Sequence, residues 1–229
     1  MIGRNNKILG IALTKGRLEN ETVNMFEKMG MDVNELRNKG RRLILPISNE
    51  EGPPGDGIGQ RCGIVAEVIL AKAPDVITYV EHGVCDIGIV GKDVIMEHGG
   101  RYFEIFDLGF GRCRFSLAGK KGENFYKGHG IKTVATKYPG VARSYFESKG
   151  QDVDIIKIEG SVELAPLLNL ADGIVDIVET GETLKENGLE VFEEIAEVSA
   201  RIIVNSVSMK LRKTEIEKFV AGIERVGKA

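Results

Sequence analysis

Short apolar runs, separated by segments with helical spacing, recur along the whole chain. Runs of strand length cover residues 8–13, 43–47, 84–90, 105–108, 115–118, 133–135, 155–158, 173–178 and 200–204. Between them, apolar positions fall three and four apart over 19–29, 75–82, 141–149, 162–170 and 214–226, which predicts helices that bury one face. Alternating strands and helices predict an α/β fold with mixed, largely parallel sheets, since parallel strands need a crossover helix between them. Residues 83–92 and 171–181 look alike: each runs from a helix end into a strand with an aspartate near its start and then into a glycine-containing turn. That likeness predicts two lobes of related build around a cleft, with the chain crossing twice. Residues 1–106 and 188–229 then form the first lobe and residues 107–187 the second. Chance similarity of two buried strands is the alternative.

Composition narrows the class. The chain has 229 residues, 42% hydrophobic and 28% charged, and this suits a globular protein with a substantial core. A formal net charge of −3 argues against a nucleic-acid partner, whose backbone calls for clustered Lys and Arg. No window approaches a membrane span and the N-terminus lacks a signal-peptide core, so a cytoplasmic protein with no membrane partner is expected. Cys62, Cys85 and Cys113 are odd in number and widely spaced, which indicates reduced packing residues rather than disulfides or a zinc site. His82, His98 and His129 show no metal-ligand spacing. Residues 50–63, rich in Gly and Pro, lack the spacing of a nucleotide loop and read as a mobile surface loop.

The chemistry concentrates at Asp176-Ile177-Val178-Glu179-Thr180-Gly181-Glu182-Thr183. A buried strand ends there and a helix begins at Glu182, so backbone N–H groups at the turn lack partners. Two threonine hydroxyls and a glycine able to take positive φ make the turn a cradle for phosphate at a helix N-terminus. No lysine is present, in contrast to a P-loop, and the three carboxylates would repel an anion unless they hold sugar hydroxyls or magnesium. A sugar phosphate satisfies both halves. An ordinary turn capped by Thr183 is the alternative. Lys15, Gly16 and Arg17 follow the first strand and open the first helix, a second anion site by the same logic, with a solvated basic pair as its alternative.

The order Ile-Ala-Leu-Thr-Lys-Gly-Arg-Leu from Ile11, Asp86 to Asp93, Gly-Phe-Gly-Arg-Cys-Arg from Gly109, Ala-Thr-Lys-Tyr-Pro to Pro139, Glu159-Gly-Ser-Val-Glu163 and Asp176 to Leu184 closely resembles the ATP phosphoribosyltransferases, the first enzymes of histidine biosynthesis. The resemblance covers nearly the whole chain. It implies a two-lobed fold like type II periplasmic binding proteins, with Mg2+-dependent attack of ATP N1 on phosphoribosyl diphosphate (PRPP) and loss of pyrophosphate. It places Asp176, Glu179, Thr180, Gly181 and Thr183 on the ribose 5-phosphate, Lys15, Gly16 and Arg17 in the nucleotide and pyrophosphate region, and Arg42 in the cleft; the magnesium ligands stay unassigned. Lys72 stands where many members carry arginine, which keeps the charge but loses the bidentate fork. The chain stops before the C-terminal regulatory domain of longer members. The resemblance to the short form therefore implies a homodimer joined to a regulatory subunit similar to histidyl-tRNA synthetase. A two-lobed binding protein without chemistry remains the competing reading. A transferase acting on a free base is disfavoured, because Ile177 rather than a second acidic residue follows Asp176.

Overall fold

The computed structural model describes residues 8–49, 63–128 and 130–227. The Gly/Pro-rich segment from Gly52 to Gly59, Cys62 and His129 lie outside the described residues. The elements run β1 (Leu9–Thr14), α1 (Arg17–Lys28), α2 (Asn34–Arg37), β2 (Ile44–Ser48), β3 (Val65–Ala71), α3 (Ala73–Glu81), β4 (Ile87–Gly91), α4 (Lys92–His98) and β5 (Tyr102–Asp107). There follow β6 (Cys113–Lys120), β7 (Lys132–Thr136), α5 (Pro139–Ser148), β8 (Val153–Lys157), α6 (Leu164–Leu167), β9 (Gly173–Val178), α7 (Glu182–Glu186) and β10 (Leu189–Val198). The chain closes with β11 (Ala200–Asn205), α8 (Ser208–Leu211) and α9 (Lys213–Gly227).

Two compact units result. The first ends its opening stretch at Ile95, takes in Gly99–Gly111 and resumes at Ser199; the second comprises Met96–His98 and Arg112–Val198. The return to the first unit thus falls at 198/199 rather than at the expected 187/188. The physical reason is β10, which pairs antiparallel with β6 as an edge strand of the second sheet. Both sheets are mixed, in the orders β2-β3-β1-β4-β11-β5 and β10-β6-β9-β7-β8. Parallel pairs are fewer than the alternation suggested: among the described residues β1/β3, β1/β4, β7/β8 and β7/β9 run parallel and the other pairs antiparallel.

In the first unit β1 is covered on both faces, and all six of its residues are buried. One face packs against α1 and α9, where Phe26 and Phe219 meet edge to face with centroids 5.9 Å apart. Helix α1 buries Glu19, Thr22, Val23 and Phe26, spaced three and four apart. Gly30, at φ 76°, closes the helix: Gly30 N–H donates to Glu27 O at 2.9 Å and Met31 N–H to Phe26 O at 3.0 Å. The opposite face packs Val76, Ile77 and Val80 of α3 on Ala12, Val90 and Ile203.

The two sheets repeat one another locally, as the likeness of residues 83–92 and 171–181 predicts. Asp86, just before β4, receives Gly10 N–H at 2.9 Å while its own N–H donates to Gly10 O at 2.8 Å. Asp172, just before β9, makes the same two bonds with Thr133, both at 2.8 Å. At the other end of the same strands, Thr14 Oγ1 donates to Ile89 O at 3.0 Å and Thr136 Oγ1 to Val175 O at 2.6 Å. In each unit a threonine hydroxyl thus ties the end of the first parallel strand to its neighbour, fixing where the following turns emerge.

Candidate functional site

Strands β6 and β9 build a pocket from strict alternation. Their register sets Arg114 against Val178, Ser116 against Asp176 and Ala118 against Ile174. Directly opposed residues share a face, so the alternate positions Phe115, Leu117 and Val175 turn to the other side, into a core with Val134, Val141 and Phe146. On the pocket face, Ala118, Ile174 and Val178 pack with Val162, Ala165 and Leu184. This leaves Asp176 as a carboxylate among apolar neighbours.

Beyond β9 the chain turns through Glu179, Thr180 and Gly181 into α7. Gly181 takes φ 80°, ψ 5°, the left-handed conformation for which glycine is suited, and serves as the N-cap of α7. Thr180 Oγ1 accepts Glu182 N–H at 3.3 Å, which leaves the hydroxyl proton to donate elsewhere. Thr183 lies one turn further on and also lines the pocket. The N-cap is therefore Gly181, not Thr183. Helix α7 has only five residues, so the anion-binding capacity expected at a helix dipole rests instead on the turn's own N–H groups and two hydroxyls.

Asp176, Glu179, Thr180, Gly181 and Thr183, the five residues expected on a ribose 5-phosphate, line one pocket of about 220 Å3. Ser116 and Glu163 join them there, and sequence reasoning assigned neither a role. Ser116 stood inside an apolar strand as a small polar residue, and Glu163 stood in a segment used only for family likeness; a serine at a pocket-facing strand position was the available signal. Burial pushes the Asp176 carboxyl from its ordinary 3.8 up to about 6, and the nearby Glu163 charge adds to the rise. The Ile177 amide and Lys137 oppose it. Arg114, on the same strand face, donates to Glu179 O at 3.5 Å and pairs with Glu194 at 2.7 Å.

The remaining expected site residues belong to the first unit. Lys15 and Lys72 follow the carboxyl ends of the neighbouring parallel strands β1 and β3, and Lys15 N–H donates to Ala71 O at 2.9 Å. Ligands commonly bind at such strand ends. Gly16, at φ 101°, begins α1; its N–H is met by the Glu19 carboxylate at 3.4 Å, and Glu19 also pairs with Lys39. The start of α1 therefore already carries an acidic side chain, which the anion-site expectation did not foresee. Lys15 and Arg17 are exposed beside it. Arg42 lies apart, before β2: its guanidinium pairs with Glu35 at 2.6 Å and donates to the Asn38 and Lys39 carbonyls, both at 3.4 Å. Cys85 is buried and Cys113 half-buried. Among the described residues no three His, Cys, Asp or Glu side chains converge on a metal position, and no helix is long and apolar enough to cross a membrane.

An acidic strand end followed by a Thr-Gly-x-Thr turn, mounted on an α/β unit, places this protein in the phosphoribosyltransferase class. The comparison with known proteins is more specific. The chain belongs to the family described as HisG: ATP phosphoribosyltransferase, whose model matches residues 72–225. It is 58% identical over 214 residues to the ATP phosphoribosyltransferase of Clostridium kluyveri, covering 93% of this chain and 91% of that protein. Its identity to the Clostridium novyi protein of the same name is 53%, over 96% of this chain and 98% of the relative. The fold is similar to a solved ATP phosphoribosyl transferase (HisG:HisZ) complex from Thermotoga maritima, with TM-score 0.76 and 35% identity over 96% of this chain and 99% of the neighbour.

Proposed function

We propose that this chain transfers the phosphoribosyl group of PRPP to N1 of ATP with release of pyrophosphate, the first step of histidine biosynthesis. The observation that carries this reading is the β9–α7 pocket, where an anion-binding turn and a buried carboxylate stand side by side. Thr180, Gly181 and Thr183 bind the 5-phosphate through N–H and hydroxyl donors. Asp176, ionised above pH 6, accepts the ribose hydroxyls and fixes the sugar. Its negative charge also favours the positive charge that develops on the ring as pyrophosphate departs. Glu179 sits at the turn as a further acceptor.

Lys15, Arg17 and Lys72 supply cations at the strand ends of the first unit for diphosphate or nucleotide phosphates, with the Gly16 backbone beside them. Arg42 takes part only by exchanging Glu35 for a ligand anion. Adenine N1 attacks through its own lone pair, so positioning and charge compensation carry the step without a dedicated general base. Mg2+ fits this donor set as an ion carried on the substrate diphosphate, since it retains waters and substrate oxygens and needs few protein ligands. When bound it neutralises charge on the leaving pyrophosphate.

The Thermotoga neighbour was solved as a HisG:HisZ complex. That likeness supports a regulatory partner subunit; from the resemblance to the short form we further infer a homodimer of this chain and a regulatory subunit resembling histidyl-tRNA synthetase. The test is to mix purified chain with ATP, PRPP and Mg2+, with and without the regulatory subunit, and follow the ultraviolet absorbance of N1-(phosphoribosyl)-ATP. Product formation supports the reading. Binding of PRPP with no product under either condition returns the chain to the competing class of non-catalytic binding proteins.

A further inference from the structure

The polar side chain beneath the pocket is Ser116. It is 1% exposed, lines the pocket, and its hydroxyl has no hydrogen-bond partner. Buried hydroxyls are almost always paired, because leaving one unpaired forfeits its bonds to water. A smaller apolar residue would suit the apolar neighbours Ala118, Ile174 and Val178 equally well. Ser116 has two cross-strand partners, Glu194 on β10 and Asp176 on β9. Glu194 is drawn away by its ion pair with Arg114. Asp176 stands directly opposite on the same face, with Cβ atoms of such a pair typically about 5 Å apart, a span that a small χ1 adjustment of either side chain closes.

Resting on the sugar-phosphate reading of this pocket, we propose that Ser116 is a positioning residue whose hydroxyl donates to the Asp176 carboxylate when the pentose binds, holding that carboxylate toward the sugar hydroxyls. The hydroxyl is sealed from solvent and stands opposite Asp176, whereas the phosphate is placed at the turn beyond β9. Its effect is therefore confined to the sugar half of the ligand. A Ser116–Asp176 hydrogen bond satisfies the buried hydroxyl and one carboxylate oxygen together. The surrounding charges, Glu163 and Lys137, act on Asp176 with or without Ser116.

Calorimetric titration with ribose 5-phosphate and, separately, inorganic phosphate tests the proposal in wild type, Ser116→Ala, Asp176→Asn and the double variant. Ser116→Ala is expected to weaken ribose 5-phosphate about 10- to 100-fold, the size of one hydrogen bond to a charged group, and inorganic phosphate less than about 2-fold. The melting temperature should be unchanged or higher. In the Asp176→Asn background, Ser116→Ala should add little, since its effect passes through the carboxylate. Unchanged affinity for ribose 5-phosphate in Ser116→Ala overturns the proposal. So does an equal loss for both ligands with a lowered melting temperature, which marks a structural role, and so does an undiminished loss in the Asp176→Asn background, which marks direct contact with the sugar. Failure of the wild type to bind ribose 5-phosphate is a different result: it removes the pocket reading itself, and this inference with it.

Discussion

Asp176→Asn separates what the pocket needs for folding from what it needs for ligand. Burial, with Glu163 adding to it, raises the Asp176 carboxyl from 3.8 to about 6 in the folded protein. Between those values the folded chain holds a proton that the unfolded chain has released, so stability falls as pH rises through the window and stays lowered above it. At about 1.4 kcal/mol for each pKa unit, the ionised carboxylate costs roughly 3 kcal/mol at pH 8. Asparagine keeps the shape and removes the charge, but its amide must also be desolvated, so a net gain of about 1–2 kcal/mol is expected. For a chain of this length that is a rise in Tm of about 3–6 °C. The gain should be complete at pH 8 and mostly gone at pH 4, near the bottom of the window, where the folded wild type holds the proton and the unfolded chain has released it only in part. Thermal and urea unfolding at the two pH values measure it. A variant no more stable than wild type at pH 8, or equally favoured at pH 4, refutes the placement of a strained carboxylate here. The same variant should lose about 100-fold or more in kcat/KM, because the charged acceptor for the ribose hydroxyls is gone.

Three further outcomes are expected. Gly181→Val forces a branched residue into a left-handed conformation costing about 1–2 kcal/mol, and calorimetry should show PRPP binding collapse while ATP binding changes far less. Arg17→Ala should leave Tm nearly unchanged and lower kcat/KM about 10- to 100-fold, the value of one charge-assisted contact, as steady-state kinetics would show. Arg212→Ala breaks the 2.8 Å pair with Asp86, both side chains being about six-sevenths buried, and should cost about 3–5 kcal/mol in urea unfolding without a specific effect on ligand binding.

Local chemistry in the sequence was enough to place the β9–α7 turn proposed to hold the sugar phosphate. The strand 173–178 matches β9 residue for residue, because a short apolar run between an aspartate and a Thr-Gly turn admits little else. The likeness of residues 83–92 and 171–181 also foretold a repeated build, since both aspartates brace a neighbouring strand through local backbone bonds. Two strands escaped. Leu189–Val198, with four glutamates and an alanine, lacks strand alternation, and it becomes a strand only because β6 offers an edge to which it pairs with two register shifts. Val65–Ala71 carries Ala, Glu and Leu, which suit a helix as well, and its place between β1 and β2 decides otherwise. Side-chain engagement was likewise beyond sequence spacing. Glu19 folds back over the start of α1, Glu35 holds Arg42, and Ser116 comes to lie opposite Asp176 from sixty residues away. Such pairings depend on register between strands and helices distant in the chain, and register is fixed only when the sheets close over their cores.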